Sequence, residues 1–179
     1  MHRRGVLRGA VGLAGAGLTV GLGGGVARAD ALAPRSLSLF NLHTGEKLTA
    51  TYFEGGDYLP DALAAMNHLL RDFRTGESHV IAPGLLDLVH TLRGRVETAQ
   101  TVHVISGYRS PRTNAMLHQR SEGVASHSLH MVGEAMDIRI PGVELAHLRD
   151  AALGLQRGGV GYYPGSDFVH VDVGRVRRW

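Results

Sequence analysis

The 179-residue chain contains no cysteine. Disulfides, thiolate metal sites and a cysteine nucleophile are thereby excluded. Any bound metal must be held by histidine and carboxylate, a donor set that suits zinc or another divalent transition ion. Long apolar runs are lacking too: beyond residue 29 no stretch is long and apolar enough to span a bilayer. No Gly-x-Ser-x-Gly elbow occurs, and Ser106-Gly107 lacks its surroundings, so a serine hydrolase is poorly supported. The excess of positive charge is confined to one end. Arg3, Arg4, Arg8 and Arg28 account for four of the 19 basic residues, while none of the 16 acidic ones lies in 1–29. The remainder holds 15 basic residues against those 16 acidic ones, which removes the case for a nucleic-acid partner.

What is present begins with an address. Arg3 and Arg4 open a short basic region, a Gly/Ala/Leu/Val stretch follows from Val6 to about Val26, and Ala27-Arg28-Ala29 forms an A-x-A pattern before Asp30. This is the layout of a signal peptide, and Arg3-Arg4-Gly5-Val6-Leu7-Arg8 resembles a twin-arginine export signal. An ordinary secretory signal or an uncleaved N-terminal anchor are the alternatives; the glycine content works against a stable membrane helix. The chain is accordingly divided into an export signal, 1–29, and one domain, 30–179, handed to the export machinery and acting in the periplasm or cell envelope, with no membrane span in the mature chain.

Within that domain, alternation over 36–42 and 47–53 around His43-Thr44-Gly45-Glu46 predicts a β-hairpin. Apolar spacing predicts helices over 61–74, 83–96 and 144–156, and a shorter one over 111–119 with Ser110 as N-cap. Strands are expected at 101–106 and 134–140, and a closing hairpin at 160–163 and 168–173 around Pro164-Gly165. The fold class is α+β: two or three helices packed on a small, mostly antiparallel sheet.

The most informative stretch is Ser128-Leu129-His130-Met131-Val132-Gly133-Glu134-Ala135-Met136-Asp137, an S-x-H-x-x-G-x-A-x-D pattern. Gly133 permits a tight turn and Ala135 leaves room beside a site. On the strand, Met136, Ile138 and Ile140 share one face and Asp137 the other, so His130 and Asp137 can converge across the turn. In Asp167-Phe168-Val169-His170-Val171-Asp172-Val173 the valines share one face, while Phe168, His170 and Asp172 share the other. His130, Asp137 and His170 would give a zinc ion three protein ligands and leave a fourth position open, the arrangement of catalytic rather than structural zinc.

These two stretches, with Ser106-Gly107-Tyr108-Arg109-Ser110, resemble the YcbK-like murein endopeptidases and the wider clan of zinc D-Ala-D-Ala carboxypeptidases, dipeptidases and hedgehog-type domains. The resemblance spans roughly residues 36–179. It implies a hedgehog/D-Ala-D-Ala-peptidase-like fold, zinc on His130, Asp137 and His170, and hydrolysis of amide bonds in peptidoglycan stem peptides, most often at crosslinks. It also implies that Arg109 lies near the reacting carbonyl or a substrate carboxylate, a task that suits a guanidinium. In the clan's dipeptidases a glutamate precedes the last ligand histidine by three residues. Asp167 holds that position here and is a candidate general base, a solvated turn residue after Gly165-Ser166 being the alternative. Asp172 competes for that role, or else orients a ligand histidine. Tyr108 and Ser128 are candidate substrate contacts; a packed ring and a turn cap are their respective alternatives. His127 is a remote candidate for a fourth ligand, and Tyr162 and Tyr163 line a peptide groove or pack at its rim. The competing function is a zinc-containing peptidoglycan-binding module without catalysis.

Overall fold

The computed structural model describes residues 32–120, 123 and 125–179; the expected export signal lies outside them. Strand β1 (Arg35–Asn41) buries Leu37 and Leu39 on one side and pairs antiparallel with β2 (Lys47–Glu54). Asn41 closes their turn by accepting the backbone N–H groups of His43 and Thr44 at 2.9 and 3.2 Å. A two-residue strand, β3 (Asp57–Tyr58), adds to the free edge of β2.

Helix α1 (Pro60–Leu69) opens on a proline, which fits the first turn. It ends well before the expected Arg74, because the chain beyond it finds other partners. The Asp72 carboxylate accepts the N–H groups of Arg74 and Ser110, both at 2.9 Å, and the Leu70 carbonyl accepts that of Tyr108 at 2.7 Å. Such side-chain-to-backbone bonds compete directly with a helical ladder. Helix α2 (Pro83–Arg95) buries Leu85, Leu86, Leu88, Val89 and Leu92. Strand β4 (Val102–Ser106) follows, then helix α3 (Pro111–Arg120), whose N-terminus is capped by Ser110 Oγ accepting the Thr113 N–H at 3.2 Å.

The remaining elements are β5 (Ala135–Arg139), helix α4 (Leu145–Leu155), β6 (Gly159–Tyr163), β7 (Phe168–Asp172) and β8 (Arg177–Arg178). The sheet order is β3-β2-β1-β4-β5-β7-β6-β8. Helix α1 packs on β2, α2 on β1, and α4 on β6 and β7. Val102, Val104, Met136, Ile138, Val169 and Val171 all join that core. Because strand side chains alternate, Asp137 and His170 stand on the opposite face from Met136, Ile138, Val169 and Val171.

The α+β class holds, and two details of the expected layout are corrected. Four α-helices are found among the described residues rather than two or three. The sheet is mixed rather than mostly antiparallel, since β4 runs parallel to β1 and β8 parallel to β6. The first parallel pair has a plain cause: α1 and α2 form a long crossover that returns the chain to the end of the sheet from which β1 set out. Residues 160–163 and 168–172 do form the closing hairpin, around a 3₁₀ turn at Pro164–Ser166.

Candidate metal centre

The S-x-H-x-x-G-x-A-x-D segment folds as a 3₁₀ turn, Leu129–Val132, that delivers the chain into β5. Ser128 caps the turn, its Oγ accepting the His130 N–H at 3.4 Å. Gly133 ends it with φ 70°, a left-handed conformation open to glycine. The turn buries His130 almost completely and points its ring at β5 and β7, where Asp137 and His170 are directly paired across the strands.

Each histidine is held by the nitrogen that faces away from the others. His130 Nδ1 lies 2.7 Å from the Gly107 carbonyl oxygen, which can only accept, so Nδ1 carries the hydrogen and Nε2 presents its lone pair. His170 Nε2 lies 3.1 Å from Asp172 Oδ2, leaving His170 Nδ1 as the free nitrogen. His130 Nε2 and His170 Nδ1 stand 3.2 Å apart, and Asp137 Oδ1 is 3.2 Å from the first and 2.8 Å from the second. Three ligands 2.0–2.1 Å from a tetrahedral ion would be separated by about 3.3 Å. The donor set, its spacing and its lone-pair directions therefore fit a zinc-sized cation.

The electrostatics agree with that fit. Burial alone would raise the Asp137 pKa, but His130 and His170 outweigh it and hold the carboxyl far below its usual range. Burial would likewise lower His170, yet its bonds to Asp137 and Asp172 carry it above the ordinary histidine value. In the absence of a metal the cluster is thus a carboxylate that calls for positive charge beside it.

A cavity of about 450 Å³ opens on the free side of the three ligand atoms. Arg109 lies on its wall, 11% exposed, with Nη2 at 3.6 Å from Asp137 Oδ2 and Nη1 donating to Asn114 Oδ1 at 3.4 Å. Its Nε is buried without a partner among the described residues. Tyr163, Phe168 and Trp179 supply an aromatic part of the lining, with the Trp179 ring 5.2 Å from that of His170. Ser128 and His127 also line the cavity; His127 stays exposed and outside the metal-ligand group.

Three sequence expectations meet different surroundings. Tyr108 is not among the cavity-lining residues: its ring is buried and stacks on His79 at 4.9 Å. The Asp172 carboxylate is fully buried and saturated by His170, by Arg177 at 2.6 and 3.0 Å, and by the N–H groups of Gly159 and Gly174 at 2.9 Å. One of its oxygens thus stands on His170 Nε2. Asp167 is 60% exposed and its carboxylate pairs with Arg139 rather than lining the cavity. The turn at Pro164–Ser166 puts Asp167 at φ 54° on the outer rim. Asp137 is the one carboxylate among the described cavity residues. Asp72, Asn114, Arg177 and Trp179 escaped the sequence reading, because nothing in their local spacing separates them from surface residues.

Comparison with known proteins bears on this site. The family described as peptidoglycan L,D-endopeptidase MepK matches residues 29–179. A peptidoglycan L,D-endopeptidase MepK of Escherichia coli strain K12 is 49% identical over 146 residues, covering 82% of this chain and 80% of that protein. A probable peptidoglycan L,D-endopeptidase MepK of Haemophilus influenzae is 41% identical over 147 residues, covering 82% of this chain and 79% of that protein.

Proposed function

Because this chain belongs to the peptidoglycan L,D-endopeptidase MepK family, we propose that it is a zinc-dependent murein endopeptidase that cuts amide bonds of peptidoglycan stem peptides at crosslinks. The carrying observation is the convergence of His130 Nε2, His170 Nδ1 and Asp137 Oδ1 beside an open cavity. These three residues would hold the metal, in a fold of the hedgehog/D-Ala-D-Ala-peptidase type. Zinc bound there supplies the Lewis acidity that lets an amide be hydrolysed near neutral pH.

The chain's own residues do the rest. The Gly107 carbonyl and the Asp172 carboxylate fix both imidazole tautomers, so the lone pairs are aimed before any ligand arrives. Arg177 neutralises Asp172 from the far side and keeps that carboxylate on His170. Arg109 brings a fixed positive charge to the wall, suited to a substrate carboxylate or to the reacting carbonyl oxygen. Ser128 shapes the turn that carries His130 and adds a hydroxyl to the same wall. The aromatic side accommodates the aliphatic parts of the peptide and excludes water from them. Asp172 is assigned to orienting His170, and Asp167 to its ion pair with Arg139. The bond between an L- and a D-centre, named for the relatives, is the one proposed for this chain. Residues 1–29 would direct export by the twin-arginine route, so that the domain works in the periplasm or cell envelope.

The test uses the chain from Asp30, loaded with zinc, on purified crosslinked muropeptide dimers, with products weighed by mass spectrometry. Cleavage that stops with a chelator and in His170→Ala supports the proposal, and product masses name the bond. Stoichiometric zinc with intact dimers would leave a peptidoglycan-binding module instead.

A further inference from the structure

Tyr163 ends β6 on the cavity wall, its ring stacked on Phe168 at 4.5 Å and 22°. Its hydroxyl oxygen accepts the Trp179 indole N–H at 2.7 Å. An indole N–H only donates, so the phenolic hydrogen takes no part in that bond. Among the described residues no acceptor lies within hydrogen-bonding distance of that hydrogen. The wall therefore carries an unspent O–H donor whose ring is fixed by Phe168 and whose oxygen is fixed by Trp179. Trp179 in turn packs beside His170, which ties this donor to the ligand cluster. Tyr163 and Arg109 line the same cavity. No second carboxylate is available in the cavity among the described residues, and hydrogen-bond donors dominate its polar lining.

We propose that Tyr163 is a further catalytic residue, its O–H donating a hydrogen bond to the scissile carbonyl oxygen as negative charge collects there. The inference rests on the amide-hydrolase reading above. In that reaction a water oxygen bonds to the carbonyl carbon and the C=O π pair moves onto oxygen. The pair then returns as the C–N bond breaks, and the proton given up by water ends on the departing amine. Tyr163 keeps its own proton throughout and serves where charge develops, which is where a pre-aimed donor counts most.

The experiment compares Tyr163→Phe with Trp179→Phe on zinc-loaded protein and crosslinked dimers. Both variants remove the Tyr163–Trp179 hydrogen bond, but only the first removes the hydroxyl. Tyr163→Phe is expected to lower kcat about a hundredfold, with KM within about twofold, and Trp179→Phe to lose less than about tenfold. A phosphinate analogue of the tetrahedral state should lose affinity for Tyr163→Phe in parallel with kcat, while the uncut dimer's Kd stays level. Zinc content equal to wild type checks that each variant is folded. Equal losses in the two variants would reduce the hydroxyl to an anchor for Trp179 and overturn the proposal. So would full activity of Tyr163→Phe in a background where the wild type cuts. A wild type that cuts no dimer removes the hydrolase reading itself, and this inference with it.

Discussion

At Gly133 an added Cβ would lie 2.1 Å from the Val80 carbonyl oxygen, on a backbone already at φ 70°. The 79–82 loop is bonded there, through the Ala82 N–H to the Gly133 carbonyl at 3.0 Å, so it has little freedom to retreat. Left-handed backbone alone costs a side-chain-bearing residue about 1–2 kcal/mol. Gly133→Ala is expected to destabilise the domain by at least that amount, read as a lower urea midpoint, and to weaken zinc binding because the same turn carries His130. Asp172 offers a cleaner case. Asp172→Asn should keep the fold yet lower zinc affinity about 10- to 100-fold, measured by competition with a chromophoric chelator. Asp167→Asn, by contrast, is expected to leave turnover within about twofold, since its carboxylate serves Arg139. A loss of about a hundredfold or more, the scale of a general base, would return Asp167 to the reaction.

Among the elements, α2 is the one fastened to the sheet by both oil and charge. Leu85, Leu86 and Leu92 are fully buried against β1, and Asp87 on the same helix reaches the hairpin. Its carboxylate receives the hydroxyls of Tyr52 and Tyr58 at 3.0 and 2.7 Å and pairs with Arg35 at 2.8 Å. Asp87→Ala would leave the buried Tyr52 hydroxyl without its partner, a loss of about 1–3 kcal/mol. Leu86→Ala should cost about 2–5 kcal/mol through lost burial and a residual cavity. Both should appear as shifts of the urea midpoint at unchanged slope. A changed slope for Asp87→Ala would mean that the hairpin and α2 no longer unfold together.

For the whole domain, the ligand cluster and the core occupy opposite faces of one sheet. Chelation is therefore expected to abolish cleavage while far-UV circular dichroism persists, and to lower Tm only by the lost binding energy. The pH response follows from the carboxylates. Burial opposes ionisation at Asp72, Asp87, Asp137 and Asp172, but hydrogen bonds and cations outweigh it, and all four are held below their ordinary range. A depressed carboxyl stabilises fully above its unfolded value near 4 and loses that contribution as pH falls. His170 has the opposite sign: raised in the metal-free fold, it stabilises below its unfolded value and loses that contribution as pH rises through the folded one. The metal-free domain should thus lose Tm steeply below about pH 4. Zinc competes with the proton for the His170 imidazole, which the metal-free fold holds above its ordinary value, so the additional Tm of the loaded protein should vanish first, before the carboxylates take up protons. Scanning calorimetry of both forms against pH checks the order.

The linear chain by itself determined the elements whose cause is local. Alternation produced the β1–β2 hairpin and the two faces of β5 and β7, and apolar spacing produced α2 and α4. The spacing from Ser128 to Asp137, with a strand bearing His170, was enough to name a His-Asp-His set, since a strand's side-chain period is independent of what it pairs with. Only the tertiary structure decided what depends on partners distant in sequence. The parallel β1–β4 pairing and the early end of α1 at the Asp72 cap depend on long-range contacts that leave no local pattern. The same holds for the site's supports. For Asp172 the sequence leaves open a base or a carboxylate that orients a histidine, and for Tyr108 a substrate contact or a packed ring; the contacts that bear on the choice come from Arg177 and the Gly159 N–H in the first case and from His79 in the second. Asp167 reads as a base by position until Arg139, paired with His103 on the neighbouring strand, claims its charge. Residue type and spacing select which atoms can bind a metal; which of them face the same cavity is settled by strand register, because register decides what each side chain meets.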